Sequence, residues 1–284
     1  MIVFVLLPAF NEDEAVESLV PKICGALQGS PYELRIVIVN DGSTDRTAQR
    51  VAALSKSHPV DVLTHPTNLG LGRTIRDGIE HCVRRGGPGD AIVRMDCDDT
   101  QDPGRIPALL DALREGADVA IASRFQPGGG EAGVRGLQKL LSHAAGLFMK
   151  VVFPIRGVRD YSSGYRAYRW EVLRDAQDVF GDRFIEQTHL GFSCTLEKIV
   201  KLRMIGARFI EVPHVLRYDL KTSPSKMARW PTMRGYLALV WKYSPWCGVR
   251  RFRWRSRIKT LCAARQTGPR SGGEVDECAA SPAV

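Results

Sequence analysis

Short apolar runs and helical repeats alternate along the first 123 residues of the chain. "IVFVLL" (2–7), "LRIVIVN" (34–40), "VDVLTH" (60–65), "AIVRM" (91–95) and "ADVAIAS" (117–123) have the length and β-branched content of strands. Between them, residues 12–27, 43–57, the stretch from "TNLGLG" to about Arg85, and a stretch opening near Pro103 repeat apolar positions at helical spacing. The first of these keeps its helical reading despite Pro21. Ser43 or Thr44 is the expected cap of the second helix. Asp102 is the expected cap of the last, where proline takes the first helical position. Strands that are apolar at nearly every position are buried on both faces, which implies an α/β fold with a mainly parallel sheet between two helix layers. In such sheets ligands bind beyond the carboxyl ends of the strands.

The polar residues collect at that edge. "PAFNE" (8–12), "NDGSTD" (40–45), "NLGLG" (68–72), "DCDD" (96–99) and "SRF" (123–125) each follow one predicted strand. Asn, Asp, Gly and Ser are ordinary turn residues, but five successive turns this rich in carboxylates, glycine and arginine describe one site. In "VRMDCDDTQDPGRIP" (93–107), Asp96, Asp98, Asp99 and Asp102 crowd behind a buried strand. Such repulsion is costly unless a cation or well-placed donors balance it. Asp96 and Asp98, two positions apart at a strand end, suit one hard divalent cation, Mg²⁺ or Mn²⁺, whose other ligands are water and substrate phosphates. A diphosphate is then the natural partner.

Composition narrows the class. The 44% hydrophobic share supports a full core over 284 residues. Seven scattered cysteines, an odd number without metal-type spacing, suggest reduced thiols rather than a disulfide framework. The start "MIVFVLLPAFNE" has no basic leader, and no segment approaches the ~20 apolar residues of a membrane span. A cytoplasmic location is therefore expected. The net charge of +9 is concentrated: residues 217–260 hold twelve Lys or Arg, one acidic residue, Asp219, and four of the five tryptophans. Residues past about Arg265 are small and polar and read as a disordered tail.

Placed in order, "PAFNE", "NDGSTDRT", "NLGLG", "MDCDDTQDP", "SRF" with "GGG", "DYSSGYRAYR" (160–169) and "EVPHVLRYDLKTSPSKM" (211–227) resemble the GT-A glycosyltransferases of family 2, of the dolichyl- or polyprenyl-phosphate mannose synthase type. The resemblance implies a Rossmann-like nucleotide-diphospho-sugar transferase fold over residues 1–227. It implies an inverting, metal-dependent transfer of a sugar, mannose from GDP-mannose by preference, to a polyprenyl phosphate. The other family activity it allows is transfer to a hydroxyl of a lipid, glycan or small metabolite. By the same resemblance Pro8, Phe10 and Glu12 line the nucleotide pocket and Asp41 contacts base or ribose. Asp96, Cys97 and Asp98 lie along the diphosphate, with the two aspartates on the metal. Arg124 meets donor or acceptor phosphates, and Lys226 reaches the leaving group or lipid phosphate. A nucleotidyltransferase would more typically carry a Gly-rich basic loop where this chain has "PAFNE".

The chain departs from the family pattern near the acceptor. The third metal ligand is Thr100 or Gln101. Arg217, Lys221 or neither replaces the arginine that precedes the serine–lysine pair, and Arg135 or Lys139 follows the glycine run. A phosphate acceptor needs no general base, whereas a hydroxyl does. Glu186 is the candidate for that base, or else a cap for a helix starting near Thr188. His189 and the other five histidines show no ligand spacing.

Residues 228–262, basic and tryptophan-bearing, suit an interfacial segment that places Trp at headgroup depth and Arg on anionic lipid. "LLSHAAGLFMKVVFP" (140–154) reads as a second interfacial helix or as a core helix. Basic patches with aromatics also bind nucleic acid, but nothing in residues 1–227 resembles a nucleic-acid fold. The expected location is peripheral, on the cytoplasmic face of a membrane, with residues 263–284 as the tail.

Overall fold

The computed structural model describes residues 1–133, 136–220, 229–243, 257–261 and 263. The chain opens with β1 (Ile2–Ala9), α1 (Asp13–Ala26), β2 (Glu33–Asn40), α2 (Thr47–Leu54), β3 (Val60–Thr64), α3 (Leu71–Arg85) and β4 (Ala91–Arg94). A 3-10 turn, Pro103–Arg105, leads into α4 (Ile106–Arg114), and β5 (Val119–Ser123), β6 (Gly130–Ala132) and α5 (Gly136–Val152) follow. The remainder is β7 (Arg166–Arg169), α6 (Trp170–Phe180), α7 (Ser193–Met204), β8 (Phe209–Pro213), β9 (Val215–Arg217) and α8 (Arg229–Tyr243). All five predicted strands form.

The main sheet has the order β3-β2-β1-β4-β7-β5-β8. Six of its strands run the same way, and β7 alone is antiparallel, between β4 and β5. The apolar strands place alternate residues in two cores. Phe4, Leu6, Val37 and Val39 point to one face, and Val3, Val5, Ile36 and Ile38 to the other, all fully buried. That is why these strands read as continuous apolar runs rather than alternating ones.

Two sequence expectations are corrected. The second helix starts at Thr47 rather than Ser43, and neither Ser43 nor Thr44 caps it. Ser43 Oγ instead accepts from the Asn11 amide at 3.0 Å, and the Thr44 amide donates to Asn11 Oδ1 at 2.8 Å. Arg46 occupies the cap position without a side-chain bond, and Asp45, one residue earlier, accepts from the Thr47 amide at 2.9 Å. The helix expected near Thr188 begins at Ser193. By contrast Asp102 does cap the turn at Pro103, accepting from the Gly104 amide at 2.9 Å.

The strand order sets where a ligand can enter. The first crossovers build outward from β1 to β2 and β3, and the chain then returns across β1 to place β4 on its other side. The crevice at the carboxyl ends of β1 and β4 is the topological switch point of the sheet. Because β7 is antiparallel, its amino end reaches that same edge, so the "DYSSGY" loop arrives beside the loops that follow β4 and β5.

Candidate active site

Two loops at the switch point are stitched together. Besides the Asn11 bonds, the Glu12 amide donates to Thr47 Oγ1 at 2.9 Å, and Glu12 itself is buried. Asn11 takes a left-handed φ of 52° to make this turn after β1. Pro8 and Phe10, half-buried, stand at the end of the same strand. Gly42, with φ +65°, lets the β2 loop lie against Thr67, where an added Cβ would come within 2.3 Å of the Thr67 carbonyl carbon.

Asp41 is buried and organises the loop after β3. One carboxylate oxygen accepts from the Leu69 amide at 2.9 Å and lies 2.7 Å from His65 Nδ1; the other accepts from the Gly70 amide at 2.9 Å. The family resemblance implies an Asp41 contact to base or ribose; the bonds seen in the structure hold "NLGLG" against the loop after β2.

The carboxylates of "DCDD" each have their own hydrogen-bond partners. Asp96 Oδ1 accepts from Arg94, and Asp96 Oδ2 accepts from Gln101 Nε2 at 2.7 Å while Gln101 Oε1 takes the Asp96 amide at 2.9 Å. Asp98 Oδ1 accepts from Thr100 Oγ1 at 2.6 Å. Asp99, at a left-handed φ of 57°, turns away to Ser18 and Lys22. Cys97 is buried between the two aspartates. Thr100 and Gln101 therefore serve different aspartates: Thr100 orients Asp98, and Gln101 clamps Asp96.

Donor chemistry at this turn fits a hard divalent ion. Among the described residues no group of three or more His, Cys, Asp or Glu side chains forms a cage. An ion held by Asp98 and Asp96 must complete its shell with diphosphate oxygens and water, the usual arrangement for Mg²⁺ at nucleotide sites.

Arg124 is paired more fully than the sequence suggests. Its Nε and one terminal nitrogen donate to the two oxygens of Asp160, each at 2.7 Å, and the other terminal nitrogen donates to Glu131 at 2.7 Å. Asp160 is fully buried, and it also accepts the Ser163 amide at 2.9 Å. Burial alone would raise the Asp160 pKa, but the Arg124 guanidinium and the amide donors outweigh it and bring it below the ordinary carboxylate value. Glu131 sits on β6, which pairs with β9 and so ties the β5 loop to the chain after β8. Through the same ribbon the Arg217 amide donates to the Thr100 carbonyl at 2.9 Å, placing Arg217 beside the aspartate turn with its guanidinium on Asp219. Lys226, Lys221 and Arg135 lie outside the described residues, as does the Lys139 side chain.

Glu186 caps no helix. Its carboxylate accepts from Tyr243 Oη at 2.9 Å and from Lys242 Nζ at 3.3 Å, joining the loop before α7 to α8. Burial raises its pKa, but Lys201, Tyr243 and Lys242 together bring it below the usual value, so it is held ionised.

His214, missed by the sequence reading, follows β8. It is 2% exposed, its ring meets Tyr165 edge-on at 5.3 Å, and neither ring nitrogen has a hydrogen-bond partner. Burial pushes its pKa down from 6.5 to about 4. The folded protein thus keeps this imidazole neutral while the unfolded chain protonates below 6.5, so the stability it confers is present above 6.5 and is lost as pH falls toward 4. The window corresponds to about 3 kcal/mol. His214→Phe, which preserves the ring contact, is expected to flatten that part of the acid destabilisation in urea titrations at pH 7 and 4.5. An unchanged difference between the two pH values would refute the assignment.

The model of the family described as "Glycosyl transferase family 2" matches residues 4–176. The chain belongs to glycosyl transferase family 2. This family 2 glycosyltransferase is 31% identical to a dolichol-phosphate mannosyltransferase of Pyrococcus furiosus over 87% of its own length and 65% of the archaeal protein. It is 34% identical to a polyprenol monophosphomannose synthase of Mycolicibacterium smegmatis over 60% of this chain and 62% of that one. It is also 33% identical to an undecaprenyl-phosphate mannosyltransferase of Micrococcus luteus over 80% and 88% of the two chains. The alignments thus span less than two thirds of the first two relatives. Among solved structures, glucosyl-3-phosphoglycerate synthase of Mycobacterium tuberculosis with Mg²⁺ and UDP superposes with a TM-score of 0.59 at 20% identity, covering 88% of this chain and 80% of that one. The fold is GT-A.

Proposed function

We propose that the protein transfers mannose from GDP-mannose to a polyprenyl phosphate, with inversion, using Mg²⁺ or Mn²⁺ held by Asp98 and Asp96. The observation that carries this reading is the "DCDD" turn at the switch point, facing the stitched loops of β1 and β2. The names of the archaeal and bacterial relatives supply the sugar and the lipid phosphate. Pro8, Phe10, Glu12 and Asp41 are proposed to surround the nucleoside, with Cys97 along the diphosphate. The ion supplies positive charge to the departing diphosphate. Asp98 would hold the ion together with Asp96, which Arg94 and Gln101 keep aligned. Arg124 is proposed to meet a phosphate that competes with Glu131 for its terminal nitrogen, and Lys226 to complete the phosphate contacts. The acceptor, already an anion at neutral pH, attacks without a general base.

Attachment at an anionic membrane surface, on the cytoplasmic face, belongs to the same proposal. Trp230, Met233, Leu237 and Trp241 form one exposed face of α8, while Leu239 and Tyr243 on its other side enter the core. On α5, Leu147, Phe148 and Val151 are exposed and Met149 is buried, so this helix serves core and surface together. Its His143 meets Phe125 of "SRF" edge-on at 4.9 Å, linking α5 to the site. Among the described residues no helix is long and apolar enough to cross a membrane. Trp246, Trp254 and the cation run between them lie outside those residues.

The test is incubation of the protein with labelled GDP-mannose and Mg²⁺ or Mn²⁺, with and without a polyprenyl phosphate. Label should enter the organic phase only when both metal and lipid phosphate are present. Turnover of a UDP-sugar but not GDP-mannose would reject the donor. Label that stays aqueous, on a hydroxyl compound, would reject the acceptor.

A further inference from the structure

Behind Asp96 the sheet buries an excess of positive charge. Arg94 on β4 and Arg166 on β7 are direct partners across the antiparallel pair, and both are fully buried. Like charges placed opposite each other on a sheet repel. Lys198 of α7, also fully buried, comes down on the same patch, with Nζ 5.7 Å from the Tyr168 ring. Tyr168 is two residues beyond Arg166 on the same strand face. Gly164 makes room for this arrangement, since a Cβ there would lie 1.5 Å from a terminal nitrogen of Arg94.

Nearby carboxylates do not balance these three cations. Asp96 pairs with Arg94. Glu197, next to Lys198 in sequence, is occupied by Lys201 at 2.6 Å and by the amides of Glu186 and Gln187 at 3.0 Å. Arg166 spends its terminal nitrogens on the carbonyls of Thr195 and Tyr161, which satisfy hydrogen bonds without cancelling charge. Among the described residues no carboxylate pairs with Arg166 or Lys198. Four buried cationic-group nitrogens here have no hydrogen-bond partner, Arg94 Nε and one terminal nitrogen, Arg166 Nε and Lys198 Nζ, and Tyr168 Oη makes no well-formed bond although the Arg166 side chain lies close enough to act on it. Water could satisfy the donors but not the charge, and an unpaired buried cation is costly.

We propose that Arg94, Arg166, Lys198 and the Tyr168 hydroxyl bind a buried monovalent inorganic anion such as chloride. The donors left without partners are its ligands, and its single negative charge offsets part of the two-charge excess that Asp96 leaves. Held in this way, Arg94 keeps its grip on Asp96, so the anion supports the aspartate turn from behind. The electrostatics agree. Burial pushes the Lys198 ammonium below its ordinary pKa. Burial also raises the Tyr168 hydroxyl, but the fields of Lys198, Arg166 and Arg94 outweigh it and bring it below its ordinary value. The Tyr168 shift reflects the surrounding positive charge, and the Lys198 shift reflects burial.

The experiment uses full-length protein in potassium gluconate, with gluconate replaced stepwise by chloride or bromide at constant ionic strength. A bound ion at about ten times its Kd should raise Tm by roughly 2–3 °C for a chain of this size. The rise should saturate and should vanish in Lys198→Met. Bromide-soaked crystals should show an anomalous peak between Lys198 and Arg166. That peak decides the matter should Lys198→Met fail to fold. Its absence overturns the proposal. So does absorbance near 295 nm at pH 7 that is lost in Tyr168→Phe, because an ionised tyrosine would then supply the missing charge.

Discussion

Replacing Asp98 by Asn is expected to lower kcat/KM by about 10³-fold or more, a loss of roughly 4 kcal/mol of transition-state stabilisation. Asparagine keeps the shape of the side chain and can still accept from Thr100 Oγ1, now 2.6 Å from Asp98 Oδ1. Only the charge proposed to face a divalent ion is removed. Metal-dependent binding of GDP should fall in parallel, while Tm should change little. Asp96→Asn should behave differently. Its carboxylate neutralises the fully buried Arg94, so the substitution should lower both activity and stability. Relief of carboxylate repulsion does not offset that loss, because Arg94 and Gln101 already balance Asp96. Wild-type turnover by Asp98→Asn with Mg²⁺ or Mn²⁺ present would remove this residue from the metal site.

The second large effect is structural. Asp160→Ala should destabilise the protein by about 3–5 kcal/mol, the range for breaking a buried ion pair by removing one partner. Asp160 is fully buried and binds Arg124 through two bonds of 2.7 Å. Its loss leaves a guanidinium that is 11% exposed with Glu131 as its remaining carboxylate. Thermal unfolding should shift down by roughly 5–8 °C for a chain of this length. Arg124→Ala should cost a comparable amount, and the double variant should cost much less than the sum, since the two residues share one interaction. Additive losses, or a loss below about 1 kcal/mol for Asp160→Ala, would show that the pair does not hold the "SRF" and "DYSSGY" loops together.

The local pattern of the chain was enough for the strands, most helices, the edge at which the polar loops gather and the aspartates that face it. Each of those features follows from period and turn chemistry within a few residues. "IVFVLL" and "LRIVIVN" are apolar throughout because both faces of each strand are covered. Asp102 capped its turn as expected because the capping bond spans only two residues.

What depended on distant partners was decided by the tertiary structure alone. β7 was legible as a motif but not as a strand, because "RAYR" carries two arginines and shows no apolar run. Its central place comes from the buried layer it completes between β4 and β5. Arg124 read as a phosphate ligand, yet the fold brings Asp160, thirty-six residues away, onto its guanidinium. Ser43 read as a cap, yet Asn11 from another loop claims it. The helices expected at a membrane interface divided similarly. Apolar positions predict amphipathic surfaces, but only packing shows that Leu239 and Tyr243 of α8 enter the core while Trp230 and Trp241 stay outside. The cations Arg94, Arg166 and Lys198 lie up to 104 positions apart in sequence and become neighbours only when β4, β7 and α7 assemble. Sequence patterns report a residue's own period and turn, whereas charge balance in a buried layer is a property of the assembled elements.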